Sequence, residues 1–201
     1  MSKRRKRVRD KWRNKAWYTI VTPSYFGNVE LGAVPADDSK NLIARVLDAT
    51  LYDITNDFAH QYLKMYFQIT DVNGKTAKTV FKGHEYSRDY LRSLVRRRTT
   101  LIDVILNATT KDNYQLRVTV SAFTLNRVKT SQEVAIRSVM RRIVGERAAV
   151  LTFDQFAQEM VLGKIASDIY NEAKKVAPMR HIGIRKSKLT LQPAETVAVA
   201  A

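Results

Sequence analysis

The residues of this chain that could do chemistry form two unequal groups, and the smaller is the catalytic one. There is no cysteine, which removes thiolate catalysis, disulfides and zinc ribbons together and suits an intracellular protein. The three histidines, His60, His84 and His181, lie far apart, and none shows i, i+4 metal spacing with a carboxylate. Each reads as a surface or hydrogen-bonded polar residue. Asp37 and Asp38 follow Pro35 and read as a turn rather than a metal pair. Neither GxGxxG nor GxxxxGKS/T occurs, and seven glycines leave little material for a phosphate-cradling loop. The expectation is a protein with no catalytic residues, no metal and no cofactor.

The larger group is suited to phosphate. Arg88, Arg92 and Arg96 stand at i, i+4 and i+8, so a helix over this stretch aligns them on one face. Arg97 and Arg98 extend the charge, and Asp89 is the only acid between Ser87 and Arg98. Like charges four apart destabilise an isolated helix by a few tenths of a kcal/mol per pair, and phosphates laid against the row remove that cost. Arginine rather than lysine fits bidentate phosphate binding; a solvated helix face is the plainer alternative. Arg137, Arg141 and Arg142, with Arg147 beyond Gly145, make a second set, but Glu133 and Glu146 are close enough for internal ion pairs instead. The third set is Arg180, Arg185, Lys186 and Lys188; in a strand Lys186 and Lys188 share one face and Arg185 takes the other.

The densest charge is at the N-terminus. Residues 1–15 carry Lys3, Arg4, Arg5, Lys6, Arg7, Arg9, Lys11, Arg13 and Lys15 against Asp10 alone, a local +8 that is half of the chain's net +16. With little besides Val8 and Trp12 to pack, this segment reads as a basic extended arm that orders on RNA. A solubilising tail or a nuclear-localisation address is the alternative. Trp12, Trp17 and Tyr18 could stack on unpaired bases, but Trp17 and Tyr18 are expected in the core.

The elements that must position these groups are strands first, then helices. Residues 16–22 are aromatic and β-branched and stop at Pro23. Residues 45–54 form a second strand, and 62–70 alternate Leu63, Met65, Phe67 and Ile69 with polar residues, the period of a half-buried strand. Asn73-Gly74 is a type I′ hairpin signal before a return strand over 78–82. Residues 101–108 and 114–123 flank a polar turn and form a second hairpin, and 181–191 return to the sheet. About six strands at short spacing favour a barrel or strongly curved sheet. Helices are expected from Ser87 as N-cap to about Arg98, from Ser131 to a stop near Gly145, after Thr152, and over 164–176. The fold class is α+β, a β-barrel flanked by several helices: arm 1–15, a single domain 16–191, and a flexible tail 192–201.

Composition agrees. With 45% apolar residues the chain can build a core, and a net +16 with pI near 10.2 calls for a polyanion. Nucleic acid leads and an acidic membrane surface is the competitor. No apolar run approaches the ~20 residues that span a bilayer, and the basic N-terminus lacks a signal peptide's apolar stretch, so a soluble, cytoplasmic protein is expected.

Several stretches together resemble a known family. Ala16-Trp17-Tyr18-Thr19-Ile20-Val21-Thr22-Pro23 with Phe26, the run Arg45 to Ile54, and above all Ser87-Arg88-Asp89-Tyr90-Leu91-Arg92-Ser93-Leu94-Val95-Arg96 are similar to the archaeal and eukaryotic small-subunit ribosomal protein family three-a-e, also called eukaryotic-type small-subunit protein one. Tyr114 to Val118, Phe123-Thr124, Ile136-Arg137 and Ile184-Arg185-Lys186-Ser187-Lys188 follow in the family's order, and the likeness covers residues 11–190. Ala44 departs from the family's usual Gly or His, Asp48 from its Glu, and Thr50 from its Ser or Cys. The absence of a long C-terminal extension resembles the archaeal branch.

The resemblance implies a barrel with helices on the platform of the small subunit near the mRNA exit region. It implies contact with the 3′ region of small-subunit rRNA, neighbouring ribosomal proteins and mRNA near the exit site, and no catalysis, membrane or small-molecule substrate. The rival reading is a free nucleic-acid-binding regulator or chromatin-like protein.

Overall fold

The computed structural model describes Trp12 and residues 15–193. Eight strands form its sheet: β1 (Ala16–Val21), β2 (Glu30–Ala36), β3 (Val46–Thr50), β4 (Leu63–Asn73), β5 (Thr76–Tyr86), β6 (Leu101–Thr109), β7 (Gln115–Thr124) and β8 (Met179–Leu191). Five helices accompany them: α1 (Leu51–Thr55), α2 (Arg88–Leu94), α3 (Thr130–Val150), α4 (Phe153–Val161) and α5 (Lys164–Ala173).

β5 is the hub. One of its edges pairs with β4 along the whole hairpin. The other pairs in parallel with β1 at Thr76–Lys78 and antiparallel with β8 at Gly83–Glu85. β1 carries β2 beyond it, β4 carries β3, and β8 carries β7 and then β6. Among the described residues β2, β3 and β6 each pair on one side only. The α+β class holds, but the sheet is open and branched where a barrel was expected. The branch depends on Gly83, whose φ is +153°; a Cβ there would lie 2.1 Å from the Ser187 carbonyl oxygen, so only glycine lets β5 and β8 approach.

Period-two burial makes these strands. In β4 the buried residues are Leu63, Met65, Phe67 and Ile69, as their alternation predicts. Leu63, Met65 and Phe67 join Phe81, Leu116, Val118, Val120, Ile182, Ile184 and Leu189 in the main core. A smaller cluster of Ile20, Ala36, Leu42, Ile69 and Ala77 lies under β1 and β2. The β4–β5 loop is Gly74-Lys75 rather than Asn73-Gly74: Asn73 pairs with Thr76, and of Asn73 and Gly74 only Gly74 has positive φ, at 62°. That places glycine first, unlike a type I′ turn.

β2 has no counterpart among the expected strands because Pro35 argues against one; Pro is tolerated here since β2 is an edge. The strand expected over 45–54 ends at Thr50, which caps α1 in a reciprocal capping box with Asp53. Ala44 adopts φ 69°, in the left-handed region that favours glycine.

α3 packs against β6 and α5 against β8. α3 starts at Thr130, one residue before the expected cap, and runs through Gly145 to Val150. Ile136, Met140, Ile143, Val144 and Ala148 give it a continuous buried stripe that overrides the glycine. α4 follows Thr152, whose hydroxyl makes no capping bond; Asp112, in the β6–β7 turn, accepts from the Phe153 N–H at 3.1 Å instead.

Candidate nucleic-acid interface

α2 is set by its ends. Ser87 Oγ accepts the Tyr90 N–H at 3.3 Å, the expected N-cap. The helix stops at Leu94, well before Arg98, because Val95 turns extended (φ −78°, ψ 121°) once Leu94 is buried. Arg180, from β8, donates to the Leu94 carbonyl at 3.3 Å and so holds the C-terminal end of α2.

This shortening changes the expected arginine row. Arg88 and Arg92 share a helix face, but Arg96, Arg97 and Arg98 form a separate exposed turn. That turn is held by Thr99 Oγ1 donating to the Arg96 carbonyl at 2.7 Å and by the Thr100 N–H donating to Thr124 Oγ1 at 2.9 Å. Arg98 sits at φ 64°, a left-handed conformation uncommon for a side chain of its size.

β8 delivers the third set. Between the Thr119–Lys186 and Val120–Ile184 pairs the register skips Arg185, so Arg185 is the extra residue of a β-bulge. The bulge turns Arg185 towards Asp103 of β6 at 3.5 Å, towards Leu91 and Arg92 of α2 and towards Val95 just beyond it. Residues about ninety positions apart thus share one surface. Lys186 and Lys188 are exposed, as expected of one strand face; Lys186 pairs with Glu85 at 2.8 Å, which partly neutralises it.

The charge balance on this surface is one-sided. Arg88, Arg96, Arg97 and Arg98 make no ion pair among the described residues. Arg92 pairs with Asp89 only at 3.9 Å, with both side chains more than four-fifths exposed, a contact worth little in water. A cleft of about 590 Å³ lies beside α2, bordered by Lys64, Tyr66, Glu85, Arg88 and Arg92. Lys64 was not among the expected contacts; it reaches the cleft only through the β4–β5 pairing, which no local pattern announces. Burial pushes the phenols of Tyr66, Tyr86 and Tyr90 up, Tyr90 to about 12, so they stay neutral donors.

The second arginine set resolves the other way. Arg137 pairs with Glu133 at 3.1 Å, Arg147 with Asp168 at 2.6 Å, and Arg142 with both Glu146 and Glu172. The bonds to Glu172 and Asp168 clamp α3 to α5, and those to Glu133 and Glu146 lie within α3; of the set, only Arg141 is left exposed and unpaired among the described residues. Of the arm, Lys15 is described with its Nζ 4.2 Å over the Trp12 ring. Lys3, Arg4, Arg5, Lys6, Arg7, Arg9, Lys11 and Arg13 lie outside the described residues, as do residues 194–201 of the expected tail. Trp17, expected in the core, points outward and is 59% exposed, whereas Tyr18 packs on the smaller cluster.

One pair has the look of a nucleophile and its base. Ser187 Oγ lies 2.8 Å from His84 Nδ1. The Ile184 carbonyl, 3.0 Å from Nε2, can only accept, so the ring proton is on Nε2 and the Ser187 hydroxyl donates to Nδ1. Both residues are buried in the β5–β8 seam, out of reach of any substrate, and the Ser187 oxygen accepts the His84 N–H at 3.1 Å. Burial lowers the imidazole to about 4, which keeps it neutral. This is a structural staple. Among the described residues no cluster of His, Asp or Glu could hold a metal ion, and no helix is long and apolar enough to cross a membrane.

An open α+β sheet with an under-neutralised arginine surface defines a protein built to meet a polyanion. The chain belongs to the Ribosomal S3Ae family, whose pattern it matches over residues 3–193; this is a family of structural ribosomal proteins, not of enzymes. It is similar to the small ribosomal subunit protein eS1 of Staphylothermus marinus, 48% identical over 192 residues covering 96% of this chain and 91% of that protein. The eS1 protein of Archaeoglobus fulgidus is 48% identical over 195 residues, with 96% and 92% covered. That of Sulfurisphaera tokodaii is 46% identical over 187 residues, with 93% and 97% covered. The relatives are archaeal, the branch that the sequence resembles.

Proposed function

We propose that this chain is a structural constituent of the small ribosomal subunit that binds small-subunit rRNA on the platform near the mRNA exit region and supports translation in the cytoplasm. The observation that carries the rRNA contact is the convergence of Arg88, Arg92, Arg96, Arg97, Arg98 and Arg185 on one surface with only two long ion pairs among them, at 3.9 and 3.5 Å. Phosphates neutralise such a surface, and binding releases counterions. Recognition then rests on backbone shape more than on base edges. Residues 1–15, with their +8, add a second electrostatic contact. Neighbouring ribosomal proteins are the other partners, and mRNA near the exit site is a further one.

Sedimentation of cell extract at low and moderate salt tests this reading. The chain should travel with the small subunit through the moderate-salt wash. A variant with Gln at Arg88, Arg92, Arg96, Arg97 and Arg98 should fold normally and leave the subunit at lower salt. Parent protein found free at the gradient top, and binding duplex DNA as well as rRNA, would make it the free regulator or chromatin-like protein instead.

A further inference from the structure

Between α2 and the β6–β7 hairpin lies a pocket of about 400 Å³, within the ~300–1,000 Å³ range of small-molecule sites. Its apolar lining is Leu91, Val95, Leu101 and Phe123, and its two polar walls are Arg92 and Arg185. Val95 and Leu101 are 50% and 40% exposed, an unusual solvent exposure for apolar groups in the middle of a guanidinium cluster. Arg96, Arg97 and Arg98 continue directly from its rim.

We propose that this pocket receives one unpaired nucleotide extruded from the rRNA, a deepening that rests on the rRNA reading of this surface. The base lies on the exposed apolar groups of Val95 and Leu101, above the buried Phe123, and the Arg92 guanidinium, freed from its 3.9 Å pairing with Asp89, stacks over or beside it. Arg185 and the Arg96–Arg98 turn hold the flanking phosphates. Charge selects this occupant. An apolar side chain would bury the floor, yet it would leave both arginine walls facing a neutral guest. A nucleotide matches both halves, with an apolar face for the lining and an anion for the walls. The β-bulge at Arg185 supports the same assignment, since a regular register would not leave Arg185 as an extra residue between the Lys186 and Ile184 pairs.

The test is equilibrium binding of the full chain to single-stranded hexauridylate and hexaadenylate and to a short RNA duplex, at two salt concentrations. V95W fills the pocket from its exposed rim; L101W fills it from the opposite wall and replaces V95W if that variant fails to fold. The filled variant should weaken hexamer binding about tenfold or more, the scale of one lost base stack. It should leave duplex binding and the salt slope unchanged, whereas R92Q with R185Q should flatten the slope. A hexamer carrying 4-thiouridine should photocrosslink to the peptide holding Val95 or Leu101. Hexamer affinity unchanged in V95W and L101W would overturn the proposal, and would do so more firmly if those variants still lost their place in the small subunit, since an apolar side chain of a neighbour or of this chain's own termini would then be the occupant. If the parent binds neither RNA, the rRNA reading has failed and this inference falls with it.

Discussion

His84 shows how a residue with catalytic credentials becomes structural. Its ordinary value of 6.5 falls to about 4 because burial disfavours the imidazolium, against a weaker opposing effect from the Ile184 carbonyl. The unfolded chain therefore holds a proton on this residue between pH 6.5 and 4 that the folded chain does not. The stability tied to the neutral ring is complete above pH 6.5 and is lost as pH falls towards 4, by an amount on the order of 3 kcal/mol. Denaturant melts across that window should show a fall in stability, and H84Q should flatten it whatever its effect at pH 7. An unchanged slope in H84Q would assign the acid sensitivity to other groups. That His84 is a hydrogen-bonded polar residue was one of the two readings its spacing offered. Its pairing with Ser187, 103 positions away, was not, since only the β5–β8 register creates it.

At the scale of elements, the loop after α2 carries the sharpest conflict between folding and binding. Arg96, Arg97 and Arg98 place three like charges in one turn, and Arg98 does so at φ 64°. A left-handed conformation costs a non-glycine residue ~1–2 kcal/mol, and glycine gives back part of that in chain entropy. R98G should therefore raise stability by about 0.5–1 kcal/mol in chemical denaturation while weakening rRNA binding. Lower stability in R98G would mean that the Arg98 side chain has a packing role. α2 was legible as a helix with Ser87 as its cap, but its length was not. The i, i+4, i+8 spacing of Arg88, Arg92 and Arg96 reports what a helix would align. Burial of Leu94 and the Arg180 bond to its carbonyl decide where the helix stops.

Over the whole molecule, charge is divided by use. The α3–α5 side spends Arg137, Arg142 and Arg147 on ion pairs, while the α2–β8 side leaves its arginines largely open. Removing residues 1–15 takes away +8 and leaves every named residue of both core clusters in the chain. The truncated chain should melt as the parent does, yet bind rRNA more weakly and with a flatter dependence of log K on log salt. An identical slope would sink the arm as a phosphate contact.

The family, the α+β class, the concentration of positive charge in residues 1–15 and most strands were legible in the sequence alone. Local charge density, period-two burial and motif order are properties of neighbouring residues, and β4 and α2 declare themselves within ten or so positions. The openness of the sheet, the exposure of Trp17, the edge strand β2 and the junction of Arg185 with Arg92 were decided by tertiary structure. Each depends on which strand lies beside which, and β5 chooses its neighbours through Gly83, one position whose lack of a side chain matters only when Ser187 arrives against it.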